Sequence, residues 1–392
     1  MALEDKIEDL STRVGKAIND LLPDTWYQRS DLPLAQQTSI QIYKTSVMIN
    51  GKVYKNTSAT TLSLDTADSW DDSTYATASK RAGVDFYIYA CVPASGTVPV
   101  FKLSANSTVP TGYSAETSRK IGGFHCLCFA VGTISGHTLS DYAMGDILPL
   151  SVWDLKFHAT AGSEGMVYKN GLWVDIYLAS WEDYKLASKY KGAIAYGNKG
   201  VDGGFSGESF EEYAHSIGKQ LISREYFKVI AEGSNEMTNY LSGRLITSAG
   251  AHKDTARRRM ISNCGCEDCC GLLWQWTSDV VESGATWYNS LDSNAVLQNQ
   301  DAYYTANKYL TGRVANREES VWEYARTSST ETPSTYTTSG KGSAIGLLRR
   351  LRVGGPYNGS TNNGTRSVAC DLLSSCKDAT TGARLVSLPY YS

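Results

Sequence analysis

The chain has 392 residues, which is enough for two or three domains with substantial cores. Its formal net charge of −3 and its hydrophobic content of 42% are ordinary for a folded protein and give no support to nucleic-acid binding. The sequence has no apolar run as long as a signal peptide or a membrane-spanning helix, so we expect no membrane insertion. The odd total of nine cysteines favours synthesis in a reducing compartment, with most thiols free and buried.

The first segment carries a heptad pattern. Apolar residues recur at alternating spacings of four and three, and the series is Leu3, Ile7, Leu10, Val14, Ala17 and Leu21. Pro23 ends the pattern. We predict that residues 1–27 form a helix for oligomerisation or docking, and the heptad rules lean toward a dimer. The alternative is an amphipathic helix packed on its own domain.

Residues 28–160 are predicted to form an all-β domain. The stretches "TSIQIYKTSVMING", "DFYIYACVP", "VPVFKLS" and "GFHCLCFAVGTI" are rich in β-branched and aromatic residues. Gly, Pro, Asn and Ser separate them, as expected for short strands joined by turns. We found no catalytic constellation in this segment.

Residues 161–392 mix strands with short helices. In "GMVYKNGLWVDIYLAS" the Asn-Gly pair predicts a tight hairpin turn. The stretch "SFEEYAHSIGK" is predicted to be helical. A second helix should begin after Ser223 as its cap, bury Phe227 and Ile230, and end at Gly233. Residues 327–343 are polar and of low complexity, which is typical of an inserted loop.

Four cysteines fall within seven positions of "NCGCEDCCGLLWQWTSD", residues 263–279. A zinc site, a redox centre, a disulfide and a framework element are the alternatives. Zinc needs four converging ligands, usually in two separated pairs, and the remaining candidates, Cys370 and Cys376, are spaced differently. A redox motif needs the start of a helix after a strand, which this segment lacks. The residues alone leave a disulfide open.

"WQWTSD" resembles a strand of the formylglycine-generating-enzyme branch of the C-type lectin fold. In the same order along the chain, "GKQLISREYFKVIAEG", "RVGGPY", Arg366 and "GARLV" resemble further pieces of that branch. In addition, "RRMISNCGCEDCCGLLWQW", "DFYIYACVPASG" and "IGGFHCLCFAVGTISGH" resemble the variable proteins of diversity-generating retroelements, the group that includes phage tropism determinants. The resemblance implies an α+β chain with a C-terminal C-type lectin-like domain, preceded by the all-β domain and the N-terminal coiled-coil helix. The cysteine cluster is then framework.

The resemblance also bears on activity. Enzymes of that branch carry a pair of catalytic cysteines shortly before the arginine-rich strand. The corresponding stretch here, "PYNGSTNNGTR", has no cysteine. We therefore expect no enzyme, with an oxygen-dependent formylglycine-generating activity as the alternative function and a purely structural virion protein as a third.

Variable proteins of this group bind ligands through a diversified C-terminal region, which the resemblance places at about residues 353–388. From Gly355 to Gly382, 18 of 28 residues are Asn, Ser, Thr, Tyr, Gly or Asp, a composition that suits adaptable binding surfaces. The predicted ligand-binding residues, expected to point outward, are Tyr357, Asn358, Ser360, Asn362, Asn363, Ser367, Asp371, Ser374 and Lys377. The predicted scaffold residues are Trp274, Trp276, Gly354, Gly355, Gly364, Arg366, Gly382 and Arg384. The tryptophans should alternate about a strand with at least one in the core, and the arginines should bind loop carbonyls and carboxylates.

The function that the resemblance implies is a phage-encoded receptor-binding protein that determines host tropism. Its partners would be a host cell-surface protein or glycan, other tail proteins of the virion and, as a homotrimer, copies of itself. Its location would be the tip of a tail fibre, after synthesis in the host cytoplasm. We expect no required cofactor and no metal site, and the sequence leaves a structural calcium ion open.

Overall fold

A computed structural model describes residues 26–198, 203–282, 287–288, 341–342, 348–369, 372 and 374–391. The predicted heptad helix and the low-complexity stretch thus lie almost entirely outside the described residues. The chain divides into two compact units. The first contains the described residues up to Cys126 together with Asp146–Phe157, and the second contains Leu127–Gly145 and His158–Tyr391. The described part is mostly β-sheet with few helices, as the sequence predicts.

The first unit is built from short antiparallel strands. They are β1 (Tyr27–Arg29), β2 (Leu34–Gln36), β3 (Ser39–Ile42), β4 (Thr45–Ile49), β5 (Lys52–Asn56), β6 (Thr60–Ser63), β7 (Asp85–Cys91), β8 (Val100–Ser104), β9 (Ser118–His125), β10 (Trp153–Asp154) and the start of β11 (Phe157–Ala159). A single helical turn, α1 (Ala78–Arg81), precedes β7. The strands pair in the orders β1-β4-β5, β2-β3-β6 and β10-β9-β7-β8.

Alternating apolar side chains of these strands make the first unit's core. In β3 the exposure pattern alternates strictly, and Ile40 and Ile42 are buried. The Phe86 ring meets Trp70 edge-on, with the ring centroids 4.7 Å apart. Because a strand of this kind buries every second side chain, its sequence shows a two-residue alternation and not the periodicity of a helix.

The second unit contains the remaining elements. Its helices are α2 (Gly207–Ser216) and α3 (Arg224–Ile230). Its strands are β12 (Met166–Lys169), β13 (Leu172–Asp175), β14 (Ser180–Glu182), β15 (Lys185–Ala187), β16 (Gln220–Leu221), β17 (Trp274–Glu282), β18 (Trp287–Tyr288), β19 (Lys341–Gly342), β20 (Leu348–Gly354), β21 (Gly364–Ala369), β22 (Thr381–Ala383), β23 (Leu385–Ser387) and β24 (Pro389–Tyr391).

Two four-stranded sheets organise the second unit. One has the order β12-β13-β23-β16 and the other the order β21-β20-β17-β22, in which β17 and β22 run parallel. Apolar side chains from α2 and from both sheets form a common core that includes Phe210, Trp276 and Leu385. The predicted variable region begins at the end of β20 in the second sheet and ends just after β23 of the first.

Local sequence signals account for several boundaries. Asn170 and Gly171 both take positive φ in the two-residue turn between β12 and β13, which confirms the predicted hairpin. The Ser223 hydroxyl accepts a hydrogen bond from the amide of Tyr226 and caps α3, whose Phe227 is buried as predicted. Helix α3 ends at Ile230, three residues before the predicted Gly233.

Among the described helices, none combines the length and the apolar character needed to cross a membrane.

Candidate ligand-binding surface

The two tryptophans of the cysteine-rich segment lie on the central strand β17. Trp274 is 3% exposed and Trp276 is fully buried. The prediction that they alternate about the strand is wrong, because residues two apart share a face of a strand. Arg352 of the neighbouring strand β20 spans both, with its guanidinium carbon 5.5 Å from one ring centroid and 5.6 Å from the other. The tryptophans and this arginine form one stacked, buried group.

Gln275, between the tryptophans, connects the sheet to the cysteine segment. Its side-chain amide donates to the carbonyl of Cys269 at 2.8 Å, and its oxygen accepts from Arg384 Nε at 3.1 Å. Arg384 is fully buried and also donates to the carbonyls of Asp175, Ile176 and Glu267. Binding of loop carbonyls is the role that the sequence predicts for the arginines.

The four clustered cysteines are buried in the second unit and carry free thiols. Cys264 Sγ lies 3.7 Å from Cys266 Sγ and 3.2 Å from the carbonyl oxygen of Ile230. Burial raises the pKa of the Cys266 and Cys270 thiols. Within the described ranges, no three His, Cys, Asp or Glu side chains are grouped to hold a metal ion. The hydrogen bond with Cys266 lowers the pKa of the Cys264 thiol to about 7. Cys266 and Cys270, which form no disulfide, act as small apolar side chains in the core.

Two glycines end β20 where a side chain would not fit. Gly354 and Gly355 both have φ of 88°. A Cβ on Gly354 would collide with the carbonyl oxygen of Cys269, and one on Gly355 would collide with the side chain of Asn363. Gly364 is restricted in a different way, because a Cβ there would meet the carboxylate of Glu236. Gly382, in β22, is buried as well.

We call residues 356–366 the tip loop. The chain leaves the sheet at Pro356, where the amide of Tyr357 donates to the carbonyl of Leu272 at 2.8 Å. A single 3-10 turn over Ser360–Asn362 follows, and the chain then enters β21. The side chains of Asn358 and Ser360 are exposed, and those of Tyr357 and Asn362 are half-buried.

The second candidate stretch, after β21, lies partly outside the described residues. Asp371 is in that undescribed part. Lys377 is exposed. The outward-facing residues in the described stretches are therefore Tyr357, Asn358, Ser360, Asn362 and Lys377, and their role in binding stays a prediction.

Three predicted surface residues point inward, which corrects the sequence-based interpretation. Asn363 is 1% exposed, and its amide donates to the carbonyls of Thr238 at 3.0 Å and Pro356 at 2.9 Å. Ser367 is buried, and its hydroxyl donates to the carbonyl of Asn362. Both side chains thus hydrogen-bond to backbone carbonyls of neighbouring segments and do not face solvent.

The third inward residue is Ser374, whose hydroxyl accepts from Arg350 Nε at 3.0 Å. Arg350 is also buried and pairs with Glu211 of helix α2 at 2.5 Å. Short polar side chains suit both a solvated surface and the internal bracing of a loop, so composition did not distinguish the two roles.

Arg366 corrects the prediction in the opposite direction, because this expected scaffold residue is exposed. The ladder between β20 and β21 pairs Val353 with Val368 and then Gly354 with Gly364. The intervening residues 365–367 therefore bulge out of the regular pairing, and a bulge redirects side chains.

A loop that the sequence analysis did not single out supports this bulge. The Glu236 carboxylate accepts hydrogen bonds from the amide of Thr365 at 3.0 Å and from its hydroxyl at 2.6 Å. Met237 donates its amide to the carbonyl of Asn363 at 2.8 Å. Glu236 precedes Thr365 by 129 residues, and no sequence signal connects the two.

The far end of the candidate region is held by an ion pair. Arg352 NH1 lies 2.6 Å from the Asp378 carboxylate, which also accepts from the hydroxyl of Thr381 at 2.6 Å. Burial raises the pKa of the Asp378 carboxyl, but the hydrogen bond from Thr381 and the charge of Arg352 outweigh it, and the net pKa is lowered. The segment is thus tied to the sheet at both ends.

Comparison with known proteins agrees with this architecture. The family model described as the Mtd second domain matches residues 33–154. The tail fiber receptor-binding protein of Bordetella phage BPP-1 is 29% identical over 253 residues. Residues 33–154 are therefore similar to the Mtd second domain, and part of the chain is similar in sequence to a phage tail fiber protein. The alignment spans 60% of this chain and 61% of the length of the Bordetella phage protein.

Solved structures of the tropism determinants share the fold over a larger part of the chain. The Major Tropism Determinant I1 Variant has a TM-score of 0.66 at 23% identity and covers 95% of this chain and 88% of its own. The M1 Variant has a TM-score of 0.66 at 24% identity with the same coverage. The U1 Variant has a TM-score of 0.62 at 23% identity, covering 93% of this chain and 84% of its own. The resemblance to tropism determinants that the sequence predicts is thus confirmed at the level of the fold.

Proposed function

We propose that this chain is a phage receptor-binding protein that determines host tropism and contacts a bacterial surface through its tip loop. The observation that carries the proposal is that the second unit combines an exposed polar loop with a buried framework that is rich in charged side chains. Asn358 and Ser360 face solvent, whereas Arg352 and Arg384 of the same unit are buried and hydrogen-bonded. The relative named as a tail fiber receptor-binding protein supports this assignment.

The second unit is proposed to be a C-type lectin-like domain, and the region at about residues 353–388 to be diversified by a retroelement. Exposed Tyr, Asn and Ser suit a changeable contact surface, because Tyr gives contact area at low entropy cost and Asn and Ser adapt their hydrogen bonds. Glycines and buried arginines around them would keep the backbone constant while the exposed side chains vary. A reverse-transcriptase gene and a near-copy of the terminal coding segment in the flanking DNA would support diversification.

The chain is proposed to act on the virion without an enzymatic step and without a required cofactor, as part of a tail fibre and as a homotrimer. Several copies would raise avidity above single-site affinity by about 10²–10⁴-fold, which compensates weak individual contacts. The host ligand would be a surface protein or glycan.

Binding to cells tests the proposal. The labelled full-length chain is screened against a panel of bacterial strains, and the Tyr357→Ala/Asn358→Ala/Ser360→Ala triple variant is compared on a strain that binds. We expect the triple variant to lose binding by about tenfold or more, because aromatic contacts dominate interfaces of this kind. The matched control is Tyr184→Ala, a tyrosine that is 84% exposed on the β14–β15 turn.

Equal binding by the triple variant and by the wild type would contradict the proposal. A virion protein with a purely structural role is the second candidate. It predicts that phage particles carrying the triple variant assemble and adsorb normally. The receptor-binding proposal predicts normal assembly with lost adsorption.

A further inference from the structure

The tip loop has one charged side chain. Between Gly354 and Asp371 the sequence is "GPYNGSTNNGTRSVAC", in which Arg366 is the only charged residue. Its side chain is exposed, and with the described residues it forms no hydrogen bond or ion pair. An exposed guanidinium on an otherwise neutral loop keeps its five donors available for a ligand.

The backbone on both sides of Arg366 is fixed. The preceding residue, Thr365, is held by two hydrogen bonds to the Glu236 carboxylate, at 3.0 and 2.6 Å. The following residue, Ser367, is buried and donates its hydroxyl to the carbonyl of Asn362. A side chain placed between two such anchors loses less backbone freedom on binding, which favours affinity.

The bulge between β20 and β21 determines that the Arg366 side chain points to solvent. In an uninterrupted ladder, Ser367 would pair with Gly354, as Val368 pairs with Val353, but Gly354 pairs with Gly364. Because three residues leave the ladder, Arg366 is presented to solvent beside the predicted contact residues along the same loop. Bulges that re-aim a side chain recur next to functional sites.

We propose that Arg366 is an anchoring residue of the tip loop that binds an oxyanion, either a carboxylate or a phosphate, on the host-surface ligand. The proposal rests on the proposed receptor-binding function and specifies the chemistry of the ligand. A guanidinium forms paired hydrogen bonds to either group in one plane. The neutral residues of the loop would then select among the anionic ligands that Arg366 captures.

Charge-reversal variants test this inference with the full-length chain and a bacterial strain that binds it. Arg366→Glu should weaken binding by about tenfold or more, as expected for loss of a charge-assisted hydrogen bond and its replacement by repulsion. Arg366→Lys keeps the charge without the planar fork and should retain intermediate affinity. The matched control, Lys185→Glu, makes the same charge change at an exposed position of β15 and should leave binding unchanged.

Two further binding experiments identify whether the oxyanion that Arg366 binds is a carboxylate or a phosphate. Amidation of the carboxylates on the cells with a carbodiimide and glycinamide should abolish the difference between wild type and Arg366→Glu if the ligand group is a carboxylate. Removal of surface phosphate should abolish it if the group is a phosphate. Wild-type binding should also fall with added salt more steeply than that of Arg366→Ala, because exposed charge pairs are screened.

The outcomes separate this inference from the proposed function. If the Tyr357→Ala/Asn358→Ala/Ser360→Ala variant loses binding while Arg366→Glu binds like wild type, the tip loop is the contact surface and the anchoring role of Arg366 is wrong. If both variants bind like wild type, the proposed function itself fails. If Lys185→Glu weakened binding as much as Arg366→Glu, the effect would come from net charge alone, and the inference would be overturned.

Discussion

The buried polar side chains of the second unit and the exposed side chains of the tip loop use the same polar residue types for opposite purposes. We call the buried, hydrogen-bonded polar side chains of the second unit, which include Arg384, His252 and the inward-facing Asn363 of the tip loop, the buried wall. Arg384 in the wall is fully buried and spends its donors on backbone carbonyls, whereas Arg366 in the tip loop is exposed. Asn363 is buried and braces the chain, whereas Asn358, five residues earlier, faces solvent. The role of each of these residues therefore depends on its hydrogen-bond partners and not on its residue type. Matched substitutions in the two regions test this contrast.

The largest expected effect is that of Arg384→Ala. Removing the guanidinium takes away the hydrogen bonds to the buried carbonyls of Asp175, Ile176 and Glu267 and to the Gln275 side chain, and of these groups the Ile176 carbonyl keeps a second donor in the amide of Glu267. We expect the free energy of unfolding, measured by urea denaturation, to fall by more than about 3 kcal/mol, because each unsatisfied buried group costs about 1–3 kcal/mol. Arg366→Ala is the control and should change it by less than about 0.5 kcal/mol. Similar losses for both arginines would remove the distinction between wall and tip.

The asparagine pair should give a smaller effect in the same direction. Asn363→Ala removes two hydrogen bonds to buried carbonyls and should cost about 1–3 kcal/mol of unfolding free energy. Asn358→Ala, on the exposed side of the loop, should cost less than about 0.5 kcal/mol. Thermal denaturation of the two variants side by side measures the difference. A more damaging Asn358 substitution would mean that the assignment of inner and outer faces is reversed.

The pH dependence of the unfolding free energy tests the ion pair between His252 and Asp268 in the buried wall. Burial lowers the pKa of His252, but the Asp268 carboxylate, 2.9 Å away, outweighs it, with Glu267 adding to its effect and Arg259 opposing it, and the net pKa is raised. Because the folded-state pKa is the higher one, this stabilisation is complete below the unfolded value of about 6.5 and is lost as the pH rises through the folded value. The unfolding free energy of wild type minus that of His252→Gln should therefore shrink over the pH range that begins at about 6.5 and extends upward. A constant difference over that range would contradict the ion pair.

The smallest effect is expected for Ser360→Ala. The hydroxyl is exposed, so the unfolding free energy should stay within about 0.5 kcal/mol of wild type. Cell binding should weaken by no more than about threefold, because peripheral polar contacts contribute little individually. A much larger loss would place Ser360 at the centre of the contact.

The sequence predicted local features well where a short-range physical rule applies. The Asn170–Gly171 turn follows from the need for positive φ, and the Ser223 cap follows from the unpaired amides at a helix start. The positions of Gly354 and Gly355 also follow from backbone conformation. The mostly β character of the chain and the fold that it shares with the tropism determinants could likewise be predicted from short motifs.

The sequence could not predict the orientation of individual polar residues in the candidate site. Arg366 was expected in the scaffold, but a bulge between β20 and β21 turns it outward, and bulges have no reliable sequence signature in a single chain. Asn363 and Ser374 have surface-like chemistry but bind partners far away in sequence. Glu236 went unnoticed because its role depends on a tertiary contact with Thr365.

Hydrogen–deuterium exchange of the full-length chain, with and without envelope fragments of a strain that it binds, tests the central claim most directly. If the tip loop contacts the host, exchange should slow in peptides covering residues 356–366 when the envelope is present and stay unchanged in peptides covering β17. Protection confined to other surfaces, with residues 356–366 exchanging at the unbound rate, would contradict the claim that the tip loop contacts the host.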